Sequence, residues 1–154
     1  MAYRKGSDLT EIITFSDTNR ADIDRSAQKL LKFLEANAYE EFFRFPFSHS
    51  YPRNCCESVS LILTYLLEEK YRLDSVKIVK GTKLDVYEHH FWVTVGQLHY
   101  DLTAHQFAGQ KPIIGTLSDK LFSDVFPDWE VEYGREFVER DDVLGSFRAG
   151  VIPF

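Results

Sequence analysis

The chain has 154 residues, of which 44% are hydrophobic and 27% are charged, a balance typical of one globular domain with a real core. The formal net charge of −6, without a long basic run, argues against a nucleic-acid binder and against electrostatic binding to membranes. No apolar run approaches the roughly 20 residues of a membrane span, and the N-terminus lacks the apolar stretch of a signal peptide. We therefore expect a single domain over residues 1–154, in the cytoplasm.

The first third of the chain predicts a scaffold helix. Residues 12–15 (IITF) form a short β-like run, which we interpret as an edge strand or an ordered arm. Thr18 or Asn19 can cap a helix that runs to about Phe43, because apolar residues recur at helical spacing in between. These residues are Ile23, Ala27, Leu30, Leu31, Leu34 and Ala38. Residues 43–54, rich in proline, serine and aromatics, then predict an irregular loop.

Two adjacent cysteines stand where this loop meets a second helix, which is predicted to begin near Cys55 or Cys56. Its apolar stripe consists of Val59, Ile62, Leu63, Leu66 and Leu67. Cys55 lines up with the stripe and reads as a small buried hydrophobe, whereas Cys56 is rotated by about 100° to its margin. A helix start favours a thiolate, because its N–H groups are unpaired and the helix dipole is positive there. Cys56 is therefore the candidate nucleophile, and a disulfide between neighbouring residues is not expected.

A strand, a turn and a β-hairpin follow this helix. Residues 73–80 predict the strand and residues 81–87 the turn. His90–Val95 and Leu98–Thr103 then predict two paired strands, because Gly96-Gln97 between them fits a two-residue hairpin turn.

The register of the hairpin places a histidine near an aspartate. If Val95 faces Leu98, then His90 and Asp101 are diagonal neighbours whose backbones lie about 7–8 Å apart. One face of the hairpin carries His90, Trp92, Thr94, His99, Asp101 and Thr103. The other face, the expected core side, carries Phe91, Val93, Val95, Leu98, Tyr100 and Leu102. The register places His90, and not His89, on the same face as Asp101. The alternative to a functional His–Asp pair is that this face is polar, solvated and without function.

The last third of the chain predicts few elements. Residues 129–133 (WEVEY) alternate and indicate a further strand, and the tail after residue 140 contains a short helical pattern.

Cysteine catalysis needs a thiol that ionises, a base that takes its proton and a group that orients the base. Cys56, His90 and Asp101 can fill these roles.

A second group of residues can bind substrate around these three. The backbone N–H of the nucleophile would form one half of an oxyanion hole, and Asn54, His49 and Ser50 are candidates for the other donor. Trp92, on the same hairpin face as His90, can shield the ion pair from water. Cys55 is a further candidate substrate contact.

These stretches resemble the transglutaminase-like branch of the papain-like cysteine peptidase superfamily. The resemblance lies in residues 54–63 (NCCESVSLIL), 90–93 (HFWV) and 100–103 (YDLT), in the order Cys, His, Asp. The pattern C-C-x-x-x-S with D-x-T-A-x-Q-F, which extends to Gln106 and Phe107, is similar to one in bacterial proteins of this kind. The usual glycine before the nucleophile is absent, which leaves the choice between the two cysteines open, and Phe91 replaces the alanine of the common H-A-W.

The resemblance implies an α+β fold in which a nucleophile-bearing helix packs on a small antiparallel sheet. Carried over residue by residue, Cys56 matches the nucleophile, His90 the base and Asp101 the third member. The implied activity, without a cofactor, is peptide or isopeptide hydrolysis, deamidation or transamidation of a peptide or protein amide. A peptidase, an amidase and an acyltransferase all remain open.

Two other interpretations compete with the enzyme, and the first is a metal site. Side chains that can bind a metal ion are present in the two cysteines, the five histidines and Asp101. The chain lacks paired C-x-x-C or H-E-x-x-H spacing and a calcium-type acidic loop, however. The second is a non-catalytic binding or immunity-type module on the same fold, because fold does not fix function.

Overall fold

The computed structural model describes the backbone of residues 2–38 and 50–154 and the side chains of residues 19–38 and 50–154. The α-helices are α1 (Ala2–Ala36), α2 (Cys56–Tyr71) and α3 (Arg140–Arg148). The strands are β1 (Val76–Thr82), β2 (His89–Val95), β3 (Leu98–Asp101), β4 (Ile113–Thr116) and β5 (Asp128–Glu132). The protein is therefore α+β, as the sequence predicts. None of the helices in these ranges combines the length and apolarity needed to cross a bilayer.

The strands form one antiparallel sheet in the order β4-β3-β2-β1-β5. Val95 pairs with Leu98 and Val93 with Tyr100, so the predicted hairpin register is confirmed. Gly96, the first residue of the turn, has a φ of +57°, in the left-handed region that favours glycine.

One face of the hairpin packs against α2, and we call it the helix-side face. It carries Phe91, Val93, Val95, Leu98, Tyr100 and Leu102, which pack with the buried stripe of α2 in the main hydrophobic core. Val59, Ile62, Leu63, Leu66 and Leu67 of that stripe are all buried. The expected core side of the hairpin is thereby confirmed.

The opposite face, which we call the aromatic-side face, is also buried, so the interpretation as a solvated polar face is wrong. His90, Trp92, His99, Asp101 and Thr103 on this face are all buried. A second apolar cluster covers them, made of Val79, Trp92, Ala104, Ile113, Leu121, Phe122 and Phe126. Apart from Val79 of β1 and Trp92 itself, the residues of this cluster come from the chain that follows the hairpin. The alternation of residues within the hairpin carries no information about them.

Helix α1 differs from its prediction at both ends. It begins at Ala2, so residues 12–15 are helical rather than an edge strand. Four apolar or β-branched residues are too few to distinguish strand from helix, and β-branching lowers helix propensity only slightly. The helix ends at Ala36 rather than near Phe43, and residues 39–49 lie outside the described residues.

Strand β1 begins and ends later than the predicted strand over residues 73–80, so it takes in part of the predicted turn. Gly81 pairs with both His90 of β2 and Trp129 of the edge strand β5. A Cβ atom at Gly81 would lie 2.6 Å from the ring of Trp92. Glycine is therefore needed here because this ring packs closely against the backbone, and not because the chain turns. Residues 129–133 were predicted as a strand, and β5 occupies nearly the same range.

Candidate active site

The start of α2 presents two cysteines in different surroundings. Cys55, the N-cap residue, is 1% exposed, and burial, with a further contribution from the adjacent Cys56, raises the pKa of its thiol to about 12. Cys56, the first helical residue, is half-buried. Because a deeply buried thiol stays protonated and out of reach of a substrate, Cys56 is the accessible member of the pair.

Asn54 precedes the cysteine pair and has a φ of +58°. This left-handed conformation suits glycine, and asparagine tolerates it better than most other residues do. Asn54 is exposed, so it stands at the surface close to the start of α2. Two residues before Cys56, the chain thus has a backbone conformation that glycine would also favour.

His90 and Asp101 form a buried hydrogen bond. Nε2 of His90 lies 2.6 Å from Oδ2 of Asp101, and each side chain is 1% exposed. The hairpin register predicts this pairing, because the two residues are diagonal neighbours on adjacent strands. With Nε2–H donating to the carboxylate, Nδ1 is the ring nitrogen left for a second partner.

Cys56 also interacts with this imidazole, because it contributes to the pKa of His90. Burial by itself disfavours the imidazolium, but the charge and hydrogen bond of Asp101, together with hydrogen bonding and charge from Cys56, raise the pKa of His90 above its usual value. The net direction is upward because the carboxylate acts at short range in a weakly screened interior. The structure therefore brings Cys56, His90 and Asp101 together.

Thr103 holds the carboxylate of Asp101 from the other side. Its backbone N–H donates to Oδ1 over 3.1 Å, and its hydroxyl donates to the same oxygen over 3.2 Å. With His90 on Oδ2, both oxygens of Asp101 accept hydrogen bonds, which orients the carboxylate. Sequence reasoning did not assign this role to Thr103, although an aspartate two residues before a threonine is a recognised local hydrogen-bonding pattern.

Aromatic rings surround His90. The ring centroid of Phe107 lies 4.9 Å away, that of Phe126 5.4 Å and that of Trp92 5.9 Å. Trp92 is fully buried, and its indole N–H donates to Nδ1 of His99 over 3.1 Å. This placement suits the predicted shielding of the ion pair, but it leaves the indole no donor for a substrate oxygen.

The other candidates lie in varied places. His49 lies outside the described residues. The hydroxyl of Ser50 donates to the carbonyl of Arg53 over 2.5 Å. His89 lies on the opposite face of β2 from His90, where its Nδ1 is 2.8 Å from the hydroxyl of Thr82.

In the part of the chain that the structure describes, no group of three or more histidine, cysteine, aspartate or glutamate side chains is placed to hold a metal ion. Comparisons with known proteins find no family model, no curated protein and no solved structure that matches this chain. The function is therefore inferred from the geometry of Cys56, His90 and Asp101.

Proposed function

We propose that the protein is a cysteine-dependent enzyme that performs acyl chemistry on a peptide or protein amide through Cys56, His90 and Asp101. The observation that carries the proposal is the buried 2.6 Å hydrogen bond between His90 and Asp101, next to the thiol at the start of α2. Burying such a pair costs desolvation energy, and strongly perturbed buried groups cluster at functional sites.

The arrangement of elements supports a papain-like core of the transglutaminase-like branch. Helix α2 bears the nucleophile and packs against the antiparallel sheet. Consecutive strands β2 and β3 bear the base and the orienting carboxylate. The chain order, the helix start and the hairpin therefore agree with the resemblance carried by residues 54–63, 90–93 and 100–103.

The first half of the reaction forms a thioester. The proton of the Cys56 thiol passes to Nδ1 of His90, which gives a thiolate and an imidazolium. The thiolate sulfur attacks the amide carbonyl carbon, a C–S bond forms, and the carbonyl electron pair moves onto oxygen. The backbone N–H of Cys56 at the helix start stabilises this oxyanion. The C–N bond then breaks as the imidazolium protonates the leaving nitrogen.

The second half releases the acyl group. Water or an amine attacks the thioester while His90 accepts its proton, and the C–S bond breaks. The sulfur leaves as a thiolate, which restores the site. Water yields a carboxylate, which is hydrolysis or deamidation, and an amine yields a new amide. Asp101 accepts the hydrogen bond of His90 throughout and stabilises its imidazolium form.

Thiol reactivity tests the proposal. At about pH 6, below the pKa of a free thiol, iodoacetamide is expected to label Cys56 faster than Cys55. The His90→Ala variant should lose this preference, because no base remains to take the proton of Cys56. The two cysteines are distinguished by fragment-ion mass spectrometry, with Cys56→Ser as the blank. Equal, slow labelling of Cys55 and Cys56 at free-thiol rates would contradict the proposal that the protein is a cysteine-dependent enzyme.

An activity screen then separates the reaction types. Wild type and Cys56→Ser are compared on peptide amides and on glutamine donors, with and without an added primary amine. Ammonia release that depends on Cys56 indicates deamidation, and incorporation of the amine indicates transfer. Absent turnover together with slow labelling would instead favour the non-catalytic binding module.

A further inference from the structure

Tyr51 connects the two halves of the candidate site. It lies five residues before Cys56, in the loop that leads into α2, and it is 7% exposed. Its hydroxyl donates a buried hydrogen bond of 2.5 Å to the backbone carbonyl of Leu102. Leu102 stands between Asp101 and Thr103, so this bond joins the nucleophile's loop to the segment that carries the orienting carboxylate.

Two features keep this hydrogen bond in place. The ring of Tyr51 packs edge-on against His105, with 5.4 Å between the ring centroids. Burial, with added contributions from Glu35, Cys55 and Asp101, raises the pKa of Tyr51. The phenol therefore remains a protonated donor across the pH range in which the site would work.

Strand pairing does not connect the loop that contains Tyr51 to the segment that contains Leu102. The ladder between β2 and β3 ends at the Val93–Tyr100 pair, whereas the contact between His90 and Asp101 lies beyond that pair. His90 pairs instead with Gly81 of β1, and Asp101 pairs with Ile113 of β4. Leu102 lies beyond the end of β3, so the link between this segment and the loop before α2 is the hydrogen bond of Tyr51.

We propose that Tyr51 is a positioning residue, whose hydroxyl sets the separation between the Cys56 thiol and the His90–Asp101 pair by anchoring the nucleophile's loop to the carbonyl of Leu102. This inference rests on the proposed function. Tyr51 does not touch the reacting atoms and acts only through the geometry of the other residues. A displacement of about 1 Å in a reacting group can cost on the order of 100-fold in rate, so one well-placed hydrogen bond is enough to matter.

The test compares Tyr51→Phe with Tyr65→Phe. Tyr65 is 3% exposed on α2, and its hydroxyl donates to the backbone carbonyls of Arg135 and Val138 over 2.7 and 3.1 Å. It lies nine residues after Cys56, more than two helical turns along α2. Both variants keep the aromatic ring and lose a buried phenol-to-carbonyl bond, which is a small part of a domain's stability, so both are expected to fold.

Two measurements are made on wild type and on both variants: the urea midpoint of unfolding, and the rate of iodoacetamide labelling of Cys56 as a function of pH. Both variants are expected to lose a similar amount of stability. Only Tyr51→Phe should label Cys56 about tenfold or more slowly at about pH 6, with the midpoint of its rate profile moved to higher pH. Tyr65→Phe should keep the wild-type profile.

The outcomes separate the two proposals. Fast wild-type labelling that Tyr51→Phe leaves unchanged would overturn the positioning role while the proposed function stands. Equal slowing in Tyr65→Phe would also overturn it, since general loosening would then explain the effect. Wild-type labelling at free-thiol rates would reject the function and the positioning role together.

Discussion

The helix-side and aromatic-side faces of the hairpin are both buried, but by different physical means. On the helix-side face, apolar side chains pack against α2, and the stabilisation is non-directional and scales with the area buried. On the aromatic-side face, polar side chains are buried together with rings, and each relies on a partner. His90 pairs with Asp101, His99 accepts from Trp92, and Thr103 donates to Asp101.

The two faces should therefore respond differently to mutation. Removing apolar volume from the helix-side core costs packing and leaves the remaining groups otherwise unchanged. Removing one polar partner from the aromatic-side face leaves the other buried and unsatisfied, and it changes which protonation state is favoured. Mutations on the helix-side face should thus mainly lower the free energy of unfolding, whereas mutations on the aromatic-side face should also change the reactivity of the Cys56 thiol.

The largest effect is expected from Asp101→Asn. Without the carboxylate, burial dominates and the pKa of His90 falls, so the imidazolium that stabilises the thiolate is lost. Labelling of Cys56 at about pH 6 should slow by about 100-fold or more. The free energy of unfolding should also fall by about 1–3 kcal/mol, because a buried pair is broken. Iodoacetamide kinetics and urea unfolding measure the two effects.

Leu66→Ala is the control variant for the helix-side face. Leu66 is fully buried in the core that α2 forms with the helix-side face, ten residues after Cys56. Its truncation should cost about 2–5 kcal/mol of unfolding free energy and leave the preference for Cys56 intact. If Leu66→Ala lost that preference as fully as Asp101→Asn does, the two faces would not be separable.

A smaller effect is expected from Gly81→Ala. The added Cβ would lie 2.6 Å from the ring of Trp92 and 2.8 Å from Cβ of Phe126, two residues that pack against His90. Overpacking of this kind costs about 1–3 kcal/mol, and urea unfolding should show the loss. Gly145→Ala in α3 is the matched control, because its Cβ meets nothing within 4 Å and alanine favours helix. Equal loss in both variants would contradict close packing at Gly81.

The smallest effect is a dependence of stability on pH, measured in a Cys56→Ser background to remove the thiol. The folded-state pKa of His90 is raised, so its contribution to stability is complete below the ordinary histidine pKa near 6.5 and is lost as pH rises towards the folded value. The slope is at most about 1.4 kcal/mol per pH unit. Adding Asp101→Asn should remove this loss of stability above about pH 6.5 and give a slope of opposite sign below it, since burial then lowers the folded-state pKa of His90. Urea unfolding at intervals between about pH 5 and pH 8 compares the two backgrounds, and parallel slopes would contradict the pairing.

The sequence by itself determined the local geometry of the site. Helical periodicity placed Cys55 in the core and Cys56 at its margin, and the structure has this arrangement. Period-2 alternation and a two-residue turn set the register that brings His90 to Asp101. These features were predictable because each depends on residues within about a dozen positions of one another. The prediction of an edge strand or an ordered arm for residues 12–15 was wrong, because a run of four residues is too short to show a period.

Tertiary structure decided what surrounds that geometry. Tyr51 meets Leu102 across 51 residues of sequence, and Phe126 reaches back to cover His90. Neither contact leaves a periodic signal, because each joins segments whose proximity depends on how helix and sheet pack together. That packing buried the aromatic-side face. Because electrostatic interactions are stronger in a buried environment, the hydrogen bond and charge of Asp101 raise the pKa of His90 there although burial by itself lowers it.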